Sequence, residues 1–230
     1  MTIKTIQVWD VPTRLTHWLL FVLVMAAIVT GLSGGNLMEW HGRIGLAILG
    51  LLTFRLMWGV IGSTYARFSQ FVRGPAAIRA YLRGEWHGVG HNPLGALSVL
   101  ALLGVLLLQT VSGLVASDDI AFNGPLYSAV TTAISEQASG LHRELFWFIS
   151  GLVALHLGAV LFYALGRGET LIRPMLTGNT AIDAPAESAA SGGGWLALLM
   201  AIAVAVLVVW LADGGLLTAP SAPVNTMPSW

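Results

Sequence analysis

Residues 141–165 read LHRELFWFISGLVALHLGAVLFYAL. The run is long and apolar enough to cross a membrane as one helix, yet it carries two histidines, His142 and His156. Fourteen residues advance a helix by about 1400°, roughly 40° short of four turns, and by about 21 Å along its axis. Both rings therefore share one side of the helix, one near a membrane face and the other deep in a hydrocarbon core about 30 Å thick. Ionisable groups inside a span are costly and mark functional sites. The spacing predicts two stacked cofactors, one per leaflet.

The rest of the chain is consistent with a membrane setting. Of its 230 residues, 56% are hydrophobic and 10% charged, against about 25% charged in soluble domains. The net charge is zero, and no nucleic-acid partner is expected. Cysteine is absent, which excludes disulfides, thiolate metal sites, iron–sulfur clusters held by Cys and the C-x-x-C-H haem attachment. The apolar run from Trp18 is too long for a cleavable signal and reads as a first span.

Five spans are expected: about Leu15–Leu32, His41–Ile61, from the HNPLG segment to near Ala116, Leu141–Leu165 and Trp195–Leu211. Residues 1–14 read as a short polar lead, and Pro75–Arg83 as a basic helix on the membrane surface. Asn92 suits a helix N-cap and Pro93 the first helical position. Trp18, Trp40, Trp58, Trp195 and Trp210 fall near span ends, as an aromatic belt would. Lys4, Arg14, Arg67, Arg73, Arg79, Arg83, Arg167 and Arg173 all lie on the side of the N-terminus, which the positive-inside preference makes cytoplasmic. The 117–140 loop, with Asp118, Asp119 and Glu136 and no basic residue, then faces the opposite compartment with the C-terminus. No internal repeat is evident.

That topology sorts the histidines by depth. His17 starts span one on the cytoplasmic side, level with His156. His41 starts span two on the other side, level with His142. A haem iron with two axial imidazoles needs one ligand on each face of the macrocycle, so the expected pairs are His17 with His156 and His41 with His142. Arg43 and Arg143, beside His41 and His142 on the face disfavoured for basic residues, suit the carboxylates of a haem. Arg55, fourteen residues after His41, is expected at the inner propionates; the competing reading is that it snorkels to the surface. His87 reads as solvated loop, and His91 as an interfacial cap or a proton acceptor for a quinol.

VWDVPTRLTHW at span one, WHGRIG and FRLMWG at span two, GHNPLGA at span three and HRELFWFISGLVALH at span four resemble the bacterial di-haem cytochrome b561 family, which includes the b-type subunits of membrane-bound Ni/Fe hydrogenases. The resemblance covers roughly residues 5–178. It implies an all-α membrane bundle, with a four-helix core over 1–178 holding two non-covalent haem b groups on His17, His41, His142 and His156. The remainder would be a flexible linker (179–194), an added transmembrane helix (195–212) and a periplasmic tail (213–230). The fifth span departs from the family's usual four; offering no ligand, it is expected to lie outside the haem bundle.

The resemblance further implies electron transfer in a bacterial inner membrane, between quinone or quinol and a periplasmic cytochrome or dehydrogenase. Oxidation or reduction of the quinone would be the accompanying activity, and the acidic loop would steer a basic partner. A haem-bearing anchor subunit of a hydrogenase or other dehydrogenase is the alternative. A cofactor-free transporter or scaffold would leave the buried histidines unexplained. Oligomeric assembly stays open.

Overall fold

The computed structural model describes residues 4–86, 88–166, 168, 171–182 and 188–217. His87, Arg167, residues 183–187 of the linker and the tail from residue 218 lie outside the described residues. In chain order the elements are β1 (Lys4–Gln7), α1 (Val11–Ser33), α2 (Met38–Ile61), α3 (Phe68–Phe71), α4 (Pro75–Leu82), α5 (Pro93–Leu114), α6 (Thr132–Gly166), α7 (Ile172–Thr177), β2 (Asn179–Ile182) and α8 (Trp195–Ala212), with three single 3₁₀ turns between them. Among the described residues, five helices are long and apolar enough to cross a membrane: α1, α2, α5, α6 and α8. The protein is a multi-pass membrane helical bundle.

Local chemistry sets the ends of these helices. Asp10 accepts the Thr13 amide at 2.8 Å and caps α1, because the first amides of a helix lack intrahelical acceptors. Asn92 does the same for α5 through Gly95 at 2.7 Å, with Pro93 next. α1 stops at Gly34, whose φ of 62° suits glycine. α6 begins nine residues before the apolar run that announced it and has 35 residues in all, about 52 Å of helix. Hydropathy marks where a helix enters lipid, not where it starts. The additional turns pack on the preceding loop through Ser139, whose hydroxyl accepts the Ser117 amide at 2.9 Å.

The closely packed pairs are α1–α2, α2–α5, α5–α6 and α2–α8. Val24, Ile48, Leu52, Leu106 and Ile149, one or two from each of the four core helices, meet in a buried cluster at mid-bundle. α8 stands outside this core and lies along α2, where Ala201 and Ala205 are buried against Phe54 and Trp58.

Two regions differ from the sequence expectation. The polar lead is β1, paired antiparallel with β2 from Lys4↔Ile182 to Gln7↔Asn179, and Ile6, Val8 and Trp9 are buried beneath it. The described part of the 179–194 segment is strapped down rather than free. Asn179–Ile182 is that second strand. The Ala190 amide donates to Gln7 O at 2.7 Å, Thr64 N to Ser191 O at 2.9 Å and the Tyr65 hydroxyl to Ser188 O at 2.8 Å. Small residues permit this close approach: a Cβ on Gly193 would stand 2.7 Å from the Ser63 amide nitrogen. Trp58 also leaves the proposed belt. It is 2% exposed, and its indole donates to Asp10 Oδ2 at 2.8 Å.

Asp10 thus serves two helices with its two oxygens. Asp10→Ala should remove the α1 cap and leave the Trp58 N–H buried without an acceptor, a loss of about 2–4 kcal/mol. Thermal unfolding of the detergent-solubilised protein checks this; a melting temperature unchanged from wild type would contradict the double role.

Candidate functional site

The four candidate ligands come together as two pairs at two levels of the bundle. On the side of the N-terminus, His17 of α1 and His156 of α6 have ring centroids 6.3 Å apart and planes inclined by 56°. On the opposite side, His41 of α2 and His142 of α6 are 6.0 Å apart and inclined by 83°. A ring centroid lies roughly 3 Å from a metal bound at about 2 Å through its Nε2, so two axial rings on one metal stand roughly 6 Å apart. Both pairs fit that separation. Among the described residues no three His, Cys, Asp or Glu side chains converge on one point. A metal held here would take two protein ligands and draw its other bonds from a macrocycle.

The far-side pair is built twice from one local pattern. His41 Nδ1 donates to the Ala27 carbonyl at 3.0 Å and lies 3.3 Å from Thr30 Oγ1. His142 Nδ1 donates to the Gln109 carbonyl at 2.9 Å and lies 3.2 Å from Ser112 Oγ. A carbonyl only accepts, so Nδ1 carries the proton in each ring and Nε2 is left with a lone pair for a metal. One residue beyond each hydroxyl is a glycine against the ring. A Cβ on Gly31 would lie 3.0 Å from His41 Cε1, and one on Gly113 would lie 2.9 Å from His142 Cε1.

Sequence reading missed these cradle residues, although a signal was present: IVTGL at 28–32 and TVSGL at 110–114. The repeat is too short to stand out without knowing that each copy faces a histidine. On the near side the support is lighter, with Ser98 Oγ 3.5 Å from His156 Nδ1.

The arginines separate. Arg55 is 6% exposed, so it does not snorkel to the surface. Its Nη1 donates to Ala66 O at 3.2 Å, its guanidinium lies 5.4 Å over the Phe68 ring, and its charge reaches His17. It therefore borders the near-side pair. Arg43 instead points to solvent: it pairs with Glu39 at 2.5 Å, both ends well exposed, and stacks 5.3 Å over Trp40. The two acid–base partners are four residues apart on one helix face, where such pairs form readily. Arg143 is exposed beside His142.

His91 is neither cap nor surface group. Asn92 does the capping, and the His91 ring is set between Trp9, at 4.6 Å, and Phe71, at 4.4 Å. Burial, followed by the charges of Arg55 and His17, holds its pKa down to about 3, so it is neutral at physiological pH.

The acidic loop is partly structural. Asp118 Oδ1 accepts the amides of Phe122, Ile120 and Ala121 at 2.8–2.9 Å. These bonds, with Phe122 foremost, hold its carboxyl below the usual range. The loop returns over α2, where a Cβ on Gly42, next to His41, would meet the Phe122 ring at 2.8 Å.

Paired imidazoles at two depths of an apolar four-helix core are the arrangement a bis-imidazole membrane cytochrome requires. The chain belongs to the prokaryotic cytochrome b561 family, whose model matches residues 8–178. It is a membrane haem cytochrome of electron transfer. Two curated relatives, each a "Probable Ni/Fe-hydrogenase 1 B-type cytochrome subunit", come from Escherichia coli K12 and O157:H7. Each is 23% identical over 210 residues, covering 74% of this chain and 88% of the relative. No solved structure matches. The family match spans all four core helices and ends before α8.

The cradles can be tested without touching a ligand. Gly113→Ala should displace the His142 ring and, were that ring to hold haem, weaken haem retention by roughly 10- to 100-fold, as loss of a ligand's supporting contacts does. Gly151→Ala, on an exposed face of α6 with open space at its Cβ, should not. Haem-to-protein ratios after extraction decide; equal ratios in the two variants would count against the Gly113 cradle.

Proposed function

We propose that the protein carries two haem b groups, one between His17 and His156 and one between His41 and His142, and conducts electrons across the bacterial inner membrane. The observation that carries this reading is the pair of imidazole separations, 6.3 and 6.0 Å, at two levels of one bundle. Bound haem supplies reversible one-electron exchange at iron. The chain's own residues orient the ligands and set the surroundings. Ala27 O and Gln109 O fix the far-side tautomers. The Val24–Ile149 cluster fills the space between the two levels with apolar side chains. Arg55 supplies positive charge at the near-side carboxylates, which favours reduction there.

The excess of basic residues near the N-terminus, α3, α4 and α7 favours a cytoplasmic assignment of that side, which would leave the 117–140 loop and the C-terminus in the periplasm. On this reading the electron path joins the quinone pool to a periplasmic cytochrome or dehydrogenase, and Asp119 and Glu136 are available to a basic partner. Arg143 is free to meet a far-side carboxylate, whereas Arg43 would first have to release Glu39. The curated relatives favour a second reading, in which the chain is the haem-bearing anchor of a hydrogenase or other dehydrogenase. Co-purification of a catalytic subunit with the native-level protein separates the two.

Haem quantification should give two non-covalent haems per chain. His41→Ala and His142→Ala should each remove the far-side haem, and His17→Ala and His156→Ala the near-side one. Potentiometric titration reads which component remains; the same residual haem after His41→Ala and after His156→Ala would falsify the pairing.

A further inference from the structure

The near side of the bundle holds buried polar nitrogens that no protein group satisfies. The His91 ring is fixed between Trp9 and Phe71, yet its Nδ1 is buried and has no partner. Arg67 follows Ala66, whose carbonyl takes Arg55, and its own Nε is likewise buried and unpartnered. Arg55 is a buried cation whose attracting carboxylate is Asp10, but Asp10 commits one oxygen to the Thr13 amide and the other to the Trp58 indole. Buried polar groups are otherwise almost always paired. What this corner lacks is an anionic acceptor, and it lies at the N-terminal end of α1, the helix that carries His17, where Asp10 is the N-cap.

We propose that His91 donates a hydrogen bond from Nδ1 to a propionate of the haem between His17 and His156, with Arg55 as the cationic partner of the same carboxylate. The inference rests on the haem placement proposed above. His91 is then a positioning residue rather than a ligand. Its aromatic clamp keeps the ring from rotating, so the N–H has one direction, and a neutral imidazole can give that bond without adding a charge to the interior. The carboxylate satisfies two donors that belong to different parts of the chain, Arg55 on α2 and His91 on the segment leading into α5. Seating the haem would thereby tie those parts together. A propionate that gives up part of its charge to donors stabilises ferric iron less, so the bond raises the potential of the near-side haem relative to a site without it.

The test uses the full-length, haem-loaded protein and two kinds of variant. His91→Phe keeps a flat ring between Trp9 and Phe71 but removes the donor; His91→Leu removes the donor without a ring and serves if the Phe variant does not accumulate. His91→Gln keeps an N–H. In the donor-free variants the near-side haem should titrate at a lower midpoint potential, and its propionate bending band in resonance Raman should shift, with the far-side haem unchanged. His91→Gln should lie nearer to wild type on both measures. An unchanged potential and an unchanged Raman band in the donor-free variants would overturn the proposal, since Nδ1 would then serve a water molecule or nothing. Loss of the near-side haem in all variants alike, with the far-side haem retained, would also overturn it, because ring volume and not the N–H would be what matters. Failure of the haem placement itself shows elsewhere, in wild type with fewer than two haems or in His17→Ala and His41→Ala removing the same one.

Discussion

The hydrogen bond from His142 Nδ1 to the Gln109 carbonyl, at 2.9 Å, states the constraint on which the rest of the bundle depends. An imidazole inside an apolar bundle must place its N–H on an acceptor, or the helix carrying it would be better off without the ring. Helix carbonyls are already engaged with their own amides but retain a second lone pair. The neighbouring helix can therefore supply the acceptor without breaking, provided it comes close. α5 does so for α6, and α1 does so for α2 through Ala27. Fixing Nδ1 in this way settles the tautomer and leaves Nε2 as the nitrogen with a free lone pair.

Closeness explains the glycines and hydroxyls. With a side chain at Gly31 or Gly113 the ring and the adjacent helix could not both keep their places. Thr30 and Ser112 sit beside the rings without exposing new unsatisfied groups, because their hydroxyls also bond to carbonyls of their own helices, at Ala26 and Gln109. Two different helix pairs reach the same solution, which makes the far-side level nearly symmetric about α6 and α2. The near-side level is not built this way. It rests on the strapped N-terminus, the Asp10–Trp58 bond and the buried Arg55, so its electrostatics are those of a cationic corner rather than of a neutral cradle. Two chemically similar cofactors would experience different surroundings on the two sides, and such surroundings tune potential.

α8 shows how a helix can be added without disturbing such a site. It lies on α2, outside the mid-bundle cluster, and packs with alanines against Phe54 and Trp58. Its approach segment is bonded along β1 and the turn after α2. The added helix therefore supports the near-side corner from behind while offering nothing to the histidines.

The sequence by itself determined the membrane setting, the five spans and the depth pairing of His17 with His156 and His41 with His142. These follow from hydropathy and from the fixed rise and turn of a helix, which are properties of one segment at a time. It also carried the cap at Asn92, for the same local reason, whereas the cap at Asp10 emerged only with the structure. Only the tertiary structure decided what lies beside each ring: the Ala27 and Gln109 carbonyls, the space left by Gly31 and Gly113, the pairing of Arg43 with Glu39, the burial of Arg55 and Trp58 and the setting of His91 between Trp9 and Phe71. The strap over 179–182 and 188–194 was equally hidden, since its small polar residues read as a free linker until β1 offered them a partner. Composition and period describe a segment's own preference for lipid or water. Which donor meets which acceptor depends on how closely two helices approach, and that distance is set by packing among residues far apart in the chain.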